Sequence, residues 1–229
     1  MNHRAAALAV AVGLPCAASQ AALFFTFQDP GPAREFTAQE NVDDSWSFSY
    51  SASQLVSLSI TASEGEIPNT TFSQTRVTMN VQTSTSPIVD QPDLLVTEIS
   101  GTFTFEDVSG MSPVTILTGT FDEAIATLLI SNLMGSIEAS GSATGDTAVG
   151  SLQLTAGDAI SDLFGDPSLV LGGRQTASFA LSELTGSEDG GLATLIGSAA
   201  FTGSSEVIPS PGAFGLFAAA SLAALRRRR

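Results

Sequence analysis

Apolar and polar residues alternate with a period of two over much of this chain, in short runs separated by Gly, Ser, Thr and Asp. Trp46, Phe48 and Tyr50 alternate with serines, and Val56, Leu58 and Ile60 keep the same beat. Val77, Met79 and Val81 repeat it, as do Ile99, Phe103 and Phe105 around Gly101. Further runs cover 114–121, 150–155, 176–184 and 193–201. Successive side chains of a strand point to opposite faces, so each run buries one face and wets the other. Many such runs predict an all-β fold: an antiparallel β-sandwich or jelly-roll-like single domain.

Some segments depart from this beat. Across 121–133, Phe121, Ile125, Leu128, Leu129 and Leu133 share one helical face, whereas Ile125, Thr127 and Leu129 also alternate. Both readings stay open, and the flanking Gly-Thr-Phe and Gly-Ser-Ile lean towards strand. The run 159–164 predicts one short helical turn, ended by Gly165 and Pro167. Pro87 and Pro92 bracket a loop between the third and fourth strands. Gly-Ser/Thr-apolar starts recur at Gly101, Gly119, Gly135, Gly150 and Gly197, too irregularly for a solenoid, and predict hairpin punctuation.

The two ends follow other rules. Residues 1–21 carry Arg4, an apolar run over 5–14, Pro15, and then Ser19-Gln20-Ala21. That order predicts a signal peptide cut by signal peptidase between Ala21 and Ala22. Cys16 follows Pro15, where a lipoprotein would need a small residue. At the other end, Pro209 and Pro211 forbid a helix interior. Residues 212–225 then carry no charge, and Arg226, Arg227, Arg228 and Arg229 close the sequence. As a helix, 212–225 spans roughly 21 Å, short of the ~30 Å hydrocarbon core. With Val207 and Ile208 added and the arginines snorkelling, it becomes a marginal span held cytoplasmic-side by the positive-inside rule.

This proline turn, short apolar helix and arginine block resembles the PEP-CTERM sorting signal of bacterial exported proteins, also catalogued as "ice-binding protein C-terminal domain". The resemblance is confined to 208–229. Pro209 and Pro211 match the family's prolines, 212–225 its helix and Arg226 to Arg229 its cluster, while Ser210 stands where the family has Glu. It implies export, a C-terminal transmembrane helix, processing near Pro209, Ser210, Pro211 and Gly212 by an exosortase-like sorting protease, and association with extracellular polysaccharide. The alternative name carries no warrant for the core: Thr102/Thr104 and Thr118/Thr120 are short pairs without a continuing register along the chain. The predicted plan is therefore a signal peptide at 1–21, a β domain at 22–207 and a sorting or anchor segment at 208–229.

Composition narrows what the middle domain does. All 23 acidic residues lie within it against Arg34, Arg76 and Arg174, so its formal charge is −20. Such a surface repels nucleic acid and anionic headgroups and attracts divalent cations or basic partners. His3 and Cys16 are the chain's single histidine and cysteine, both within 1–21, and lysine is absent. The mature domain thus lacks Ser-His-Asp and Cys-His machinery, His- or Cys-ligated zinc, Schiff-base chemistry and disulfides.

The remaining candidates are aromatic and acidic. Trp46, Phe48 and Tyr50 form one stripe, a sugar-stacking platform if exposed and core if buried; core is the favoured reading. Carboxylates group at Asp43-Asp44, Glu64/Glu66, Glu106-Asp107 and Glu188-Asp189. Asp158, Asp162 and Asp166, and Glu188-Asp189-Gly190-Gly191, are the best candidates for Ca²⁺, which takes hard oxygen ligands. The leading expectation is a non-enzymatic, exported, surface-anchored or matrix-associated protein, structural or adhesive in the cell envelope. A calcium-dependent carbohydrate-binding module is the alternative, and a carboxylate-based polysaccharide hydrolase or lyase the next.

Overall fold

The structure is a computed structural model, and it describes residues 22–28, 36–51, 55–63, 69–144, 149–165 and 169–208. The predicted signal peptide at 1–21, Arg34, Glu64, Glu66, Asp166 and residues 209–229, with the predicted sorting segment, lie outside these residues. Thirteen strands and one short helix follow in order. They are β1 (Ala22–Gln28), β2 (Phe36–Glu40), β3 (Trp46–Ser51), β4 (Val56–Ala62), β5 (Thr70–Thr83), β6 (Val89–Gln91) and β7 (Leu94–Asp107). After them come β8 (Val114–Ser131), β9 (Met134–Thr144), β10 (Val149–Gly150), β11 (Leu152–Ala156), α1 (Asp158–Phe164), β12 (Val170–Asp189) and β13 (Leu192–Ile208).

All pairings are antiparallel, and the all-β architecture expected from the alternation is present. The two walls of a sandwich are here joined along both edges. From β13 the ladder runs through β12, β9, β8 and β7 to β5, and returns by β3 and β2 at one end or β4 and β1 at the other. β1 and β2 both pair with β13, at Ala22–Gln28 and Phe36–Gln39, and so form one interrupted stave. β3 and β4 do the same beside β5. β9 and β11 share the same edge of β8. Counted this way, eight staves close on themselves, each beside its neighbour in sequence. The result is an up-and-down barrel without a jelly roll's long crossovers.

Bulges bend the long strands. Phe121 faces Gly101 and Ala124 faces Ile99, so Asp122 and Glu123 together oppose the single Ser100. Glu123 takes a left-handed φ of 55°, as Glu183 does (56°) at the corresponding break in β12. An inserted residue turns the strand and raises its twist, which closure of a barrel requires. The bulge also explains the helical spacing in 121–133: the inward positions are Phe121, Ala124, Ala126 and Leu128, while Ile125 and Leu129 face out. This segment is strand.

Phenylalanine fills the bore. Phe27, Phe103, Phe105, Phe121, Phe179 and Phe201 come from five strands and meet at centroid distances between 4.7 and 6.4 Å. An eight-stranded barrel has an interior that side chains just fill, and inward glycines make the slots for these rings. A Cβ on Gly119 would run into the Phe103 ring, and one on Gly141 would press on Phe121. The predicted hairpin role is corrected at three of the Gly starts: Gly101, Gly119 and Gly197 lie inside long strands, whereas Gly135 follows the turn between β8 and β9. Several turns are made by left-handed residues instead, namely Asp44, Asn132-Leu133 and Gly190-Gly191. Trp46, Phe48 and Tyr50 all face inward and are buried, as the core reading expected.

The wall faces water. Outward positions align as hydroxyl rows, such as Thr78, Thr104, Thr118 and Thr155 across four strands. Another row runs Ser140, Ser178, Thr202, Thr26, Ser59 and Thr71. A lipid-facing barrel needs an outward apolar band, the opposite of this pattern. These rows also correct the reading of the Thr pairs as lacking a continuing register. Thr102 faces Thr120 and Thr104 faces Thr118, and the register continues across strands on a curved wall. Among the described residues, no helix is long and apolar enough to cross a membrane.

Candidate binding mouth at one end of the barrel

The closed ladder gives the barrel two unlike ends. One end gathers the start of β1, the end of β13, the start of β12 and α1. Ala22 pairs with Glu206 and Val170 with Ile208, so the first and last described residues, Ala22 and Ile208, lie at the same end. Ala22 opens β1, its N–H donating to Ser63 Oγ at 3.0 Å and its carbonyl accepting from the Ser63 amide at 2.9 Å. Residue 208, the last described, is also the last of β13.

A seam in the wall near this end is closed by one side chain. β11 and β12 lie together without a backbone ladder between them. Gln175, fully buried, accepts from the Leu154 amide at 2.9 Å and donates to the Leu154 carbonyl at 3.1 Å. The side-chain amide thus replaces a missing pair of ladder bonds, as buried backbone groups require. Its Nε2 also lies 3.3 Å from Ser205 Oγ. Gly173 and Arg174 bulge from β12 just before Gln175, and Gly173 takes a φ of 62° where a Cβ would strike the Glu206 side chain.

The opposite end is open. Its hairpins surround a cleft of about 640 Å³, within the range of small-ligand sites. Trp46, Leu94, Leu95, Leu128 and Ile130 form its apolar lining, and Glu40, Asp44, Asp90 and Asp93 contribute carboxylates. Trp46 and Leu128 are buried, whereas Leu94, Leu95 and Ile130 are half-buried. Val42 (88% exposed) and Ile88 (58%) stand at the same end. Among the described residues, Arg76 and Arg174 are the basic side chains, and neither lines the mouth. Arg76 is paired on the outer wall with Glu106 at 2.7 Å.

The rim is held in place. Glu40 accepts from the Ala193 amide at 2.9 Å, tying β2 to the start of β13. The Trp46 amide donates to Thr83 Oγ1 at 2.8 Å, fixing β3 to β5. In the turn between β2 and β3, Asn41 Nδ2 donates to Ser45 and Ser47 hydroxyls, both at 2.9 Å. Asp43 accepts from the Ser45 hydroxyl at 2.7 Å and from its amide at 3.3 Å. These bonds, the hydroxyl first, hold the Asp43 carboxyl below its ordinary pKa.

Of the predicted calcium residues, Asp158, Asp162, Glu188 and Asp189 lie among the described residues, and Asp166 lies outside them. Asp158 and Asp162 lie on α1, at the same end as Ala22 and Ile208. Glu188 and Asp189 end β12 beside the Gly190-Gly191 turn, at the mouth end but outside its lining. Among the described residues, no three acidic side chains come together as a metal site. Glu106-Asp107 closes β7 far from the mouth. Glu40, Asp90 and Asp93 were missed because their placement around one cleft depends on the fold, and only Asp44 carried a local signal, as part of an acidic pair.

No protein-family model matches the chain, and no curated protein or solved structure matches it either.

Proposed function

We propose that this chain is an exported, non-enzymatic envelope protein, tethered at the end that bears its termini and adhesive through the mouth at the other. The observation that carries the reading is the pairing of Ala22 with Glu206. It sets the junctions to the predicted signal peptide and PEP-CTERM-like tail side by side, away from the cleft. With 17 residues in β13, about 3.3 Å of rise per residue and a tilt of about 40° put the mouth roughly 40 Å from the tether. The polar wall supports residence in water outside the bilayer, and the lack of His, Cys and Lys in 22–207 supports binding over nucleophilic catalysis.

Single cysteines test the orientation: Val42→Cys at the mouth and Met111→Cys in the loop between β7 and β8 at the tethered end. In intact producing cells, a membrane-impermeant maleimide reaches both, and a bulky polymer-linked maleimide favours Val42→Cys. Labelling of both sites only after lysis would overturn export. Equal reaction of the bulky reagent at both would overturn the tether's orientation.

A further inference from the structure

We propose that the mouth seats a cationic peptide segment, with an aliphatic side chain in the cleft and lysine or arginine side chains on the carboxylate rim. This names a partner for the site proposed above and rests on that reading of the mouth as the binding end. Four observations select the occupant.

The lining combines Glu40, Asp44, Asp90 and Asp93 with no basic residue. A cleft lined by one sign of charge over low-dielectric walls concentrates ligands of the other sign. Phosphorylated, sulfated and uronic-acid ligands are therefore disfavoured. A bare metal ion is also a poor match, because the described carboxylates do not converge in threes. Separated carboxylates match separated positive charges.

Between those charges, half-buried Leu94, Leu95 and Ile130 offer aliphatic surface, interspersed with Ser84, Thr85 and Gln91. The one aromatic there, Trp46, is 8% exposed, so no open ring face is offered to a sugar. Aliphatic surface surrounded by carboxylates fits a side chain such as Leu or Val flanked by ammonium or guanidinium groups. Such interfaces place an apolar anchor in a pocket and charges at its rim.

The rim is also pre-organised. Glu40 is fixed by the Ala193 amide, and the 41–45 turn is fixed by Asn41 and Asp43. A partner then immobilises few groups on this side of the interface, which lowers the entropy cost of binding.

The test uses the purified full-length chain in nonionic detergent, titrated calorimetrically with an eight-residue peptide of alternating lysine and leucine. Binding is expected to weaken steeply with salt. Removing rim charge in an Asp44→Asn, Asp90→Asn, Asp93→Asn variant is expected to weaken it about tenfold, at roughly half a kcal/mol per exposed pair. An Asp107→Asn, Asp158→Asn, Asp162→Asn variant removes equal charge at the other end and is expected to bind like the parent. Unchanged circular dichroism and melting confirm that both variants fold. Equal weakening in the two variants means diffuse attraction to an acidic protein and overturns the site. So does equal binding of a lysine–serine peptide, or preferential binding of Ca²⁺ or a chitosan oligomer. These outcomes are read in solution and leave the cell-labelling result independent, so failure of one reading is distinguishable from failure of the other.

Discussion

The bore away from the mouth and the mouth itself arise from the same alternation but are filled differently. In the bore, six phenylalanine rings interlock with inward glycines such as Gly119, leaving no room for a Cβ there. At the mouth, Leu95 and Ile130 are half-buried beside the buried Trp46 and Leu128, and the hairpins around them leave a cleft. Large rings against glycine slots make a dry, densely packed interior. One barrel thus separates the part that holds it together from the part that is free to bind.

The largest effect expected from this division is in the bore. Phe179→Ala removes a ring packed on Phe103 and Phe201 and is expected to cost about 4 kcal/mol, read as a lowered urea midpoint. Leu94→Ala at the mouth, half-buried at the start, is expected to cost about 1 kcal/mol. Equal losses would erase the distinction between the two regions.

Next comes the seam. Gln175→Leu leaves the Leu154 amide and carbonyl unpaired in a dry wall, with an expected loss of about 3 kcal/mol. Hydrogen exchange at the Leu154 amide is expected to accelerate more than at residues lining the mouth. If exchange rises first around Leu94 and Leu95, the mouth and not the seam is the weak point of the ladder.

The smallest effect belongs to the exposed rim. Asp43 has a folded-state pKa below its unfolded value, so its contribution is complete above the unfolded pKa. It fades as pH falls through the lower, folded one. An NMR titration of the Asp43 carboxyl is expected to show this depression, and Ser45→Ala to relieve most of it. A Ser45→Ala titration identical to the parent's would remove the hydroxyl bond as its cause. Neither change is expected to disturb the phenylalanine cluster.

Much of the wall was legible along the chain, but the signal failed at identifiable places. The alternation did not mark β1, β2 or β9. In β1, Leu23-Phe24-Phe25 is continuous, because Phe24 lies on the outer wall at 44% exposure while its neighbours are buried. β2 is five residues long. The inward side of β9 carries Ile137, Ala139 and Gly141, which give little contrast with serine and threonine. In 121–133 one bulge changed an inward spacing of two into three and imitated a helix. The short turn after Ala156 was legible, since Gly165 takes the left-handed φ that ends α1.

By itself the sequence determined the period of two, the acidic and histidine-free chemistry of 22–207, and the charge order of both ends. These are properties of neighbours along the chain, where side-chain direction follows from strand geometry alone. Only the tertiary structure decided that the sheet closes, that the Thr pairs align, and that Ala22 and Ile208 share one end. It also decided that Glu40, Asp44, Asp90 and Asp93 meet around one cleft while Asp158 and Glu188 lie at opposite ends. Those facts depend on register between strands distant in sequence. A slip of one residue would turn every inward ring outward, so burial of the phenylalanines fixes the register and thereby places the mouth.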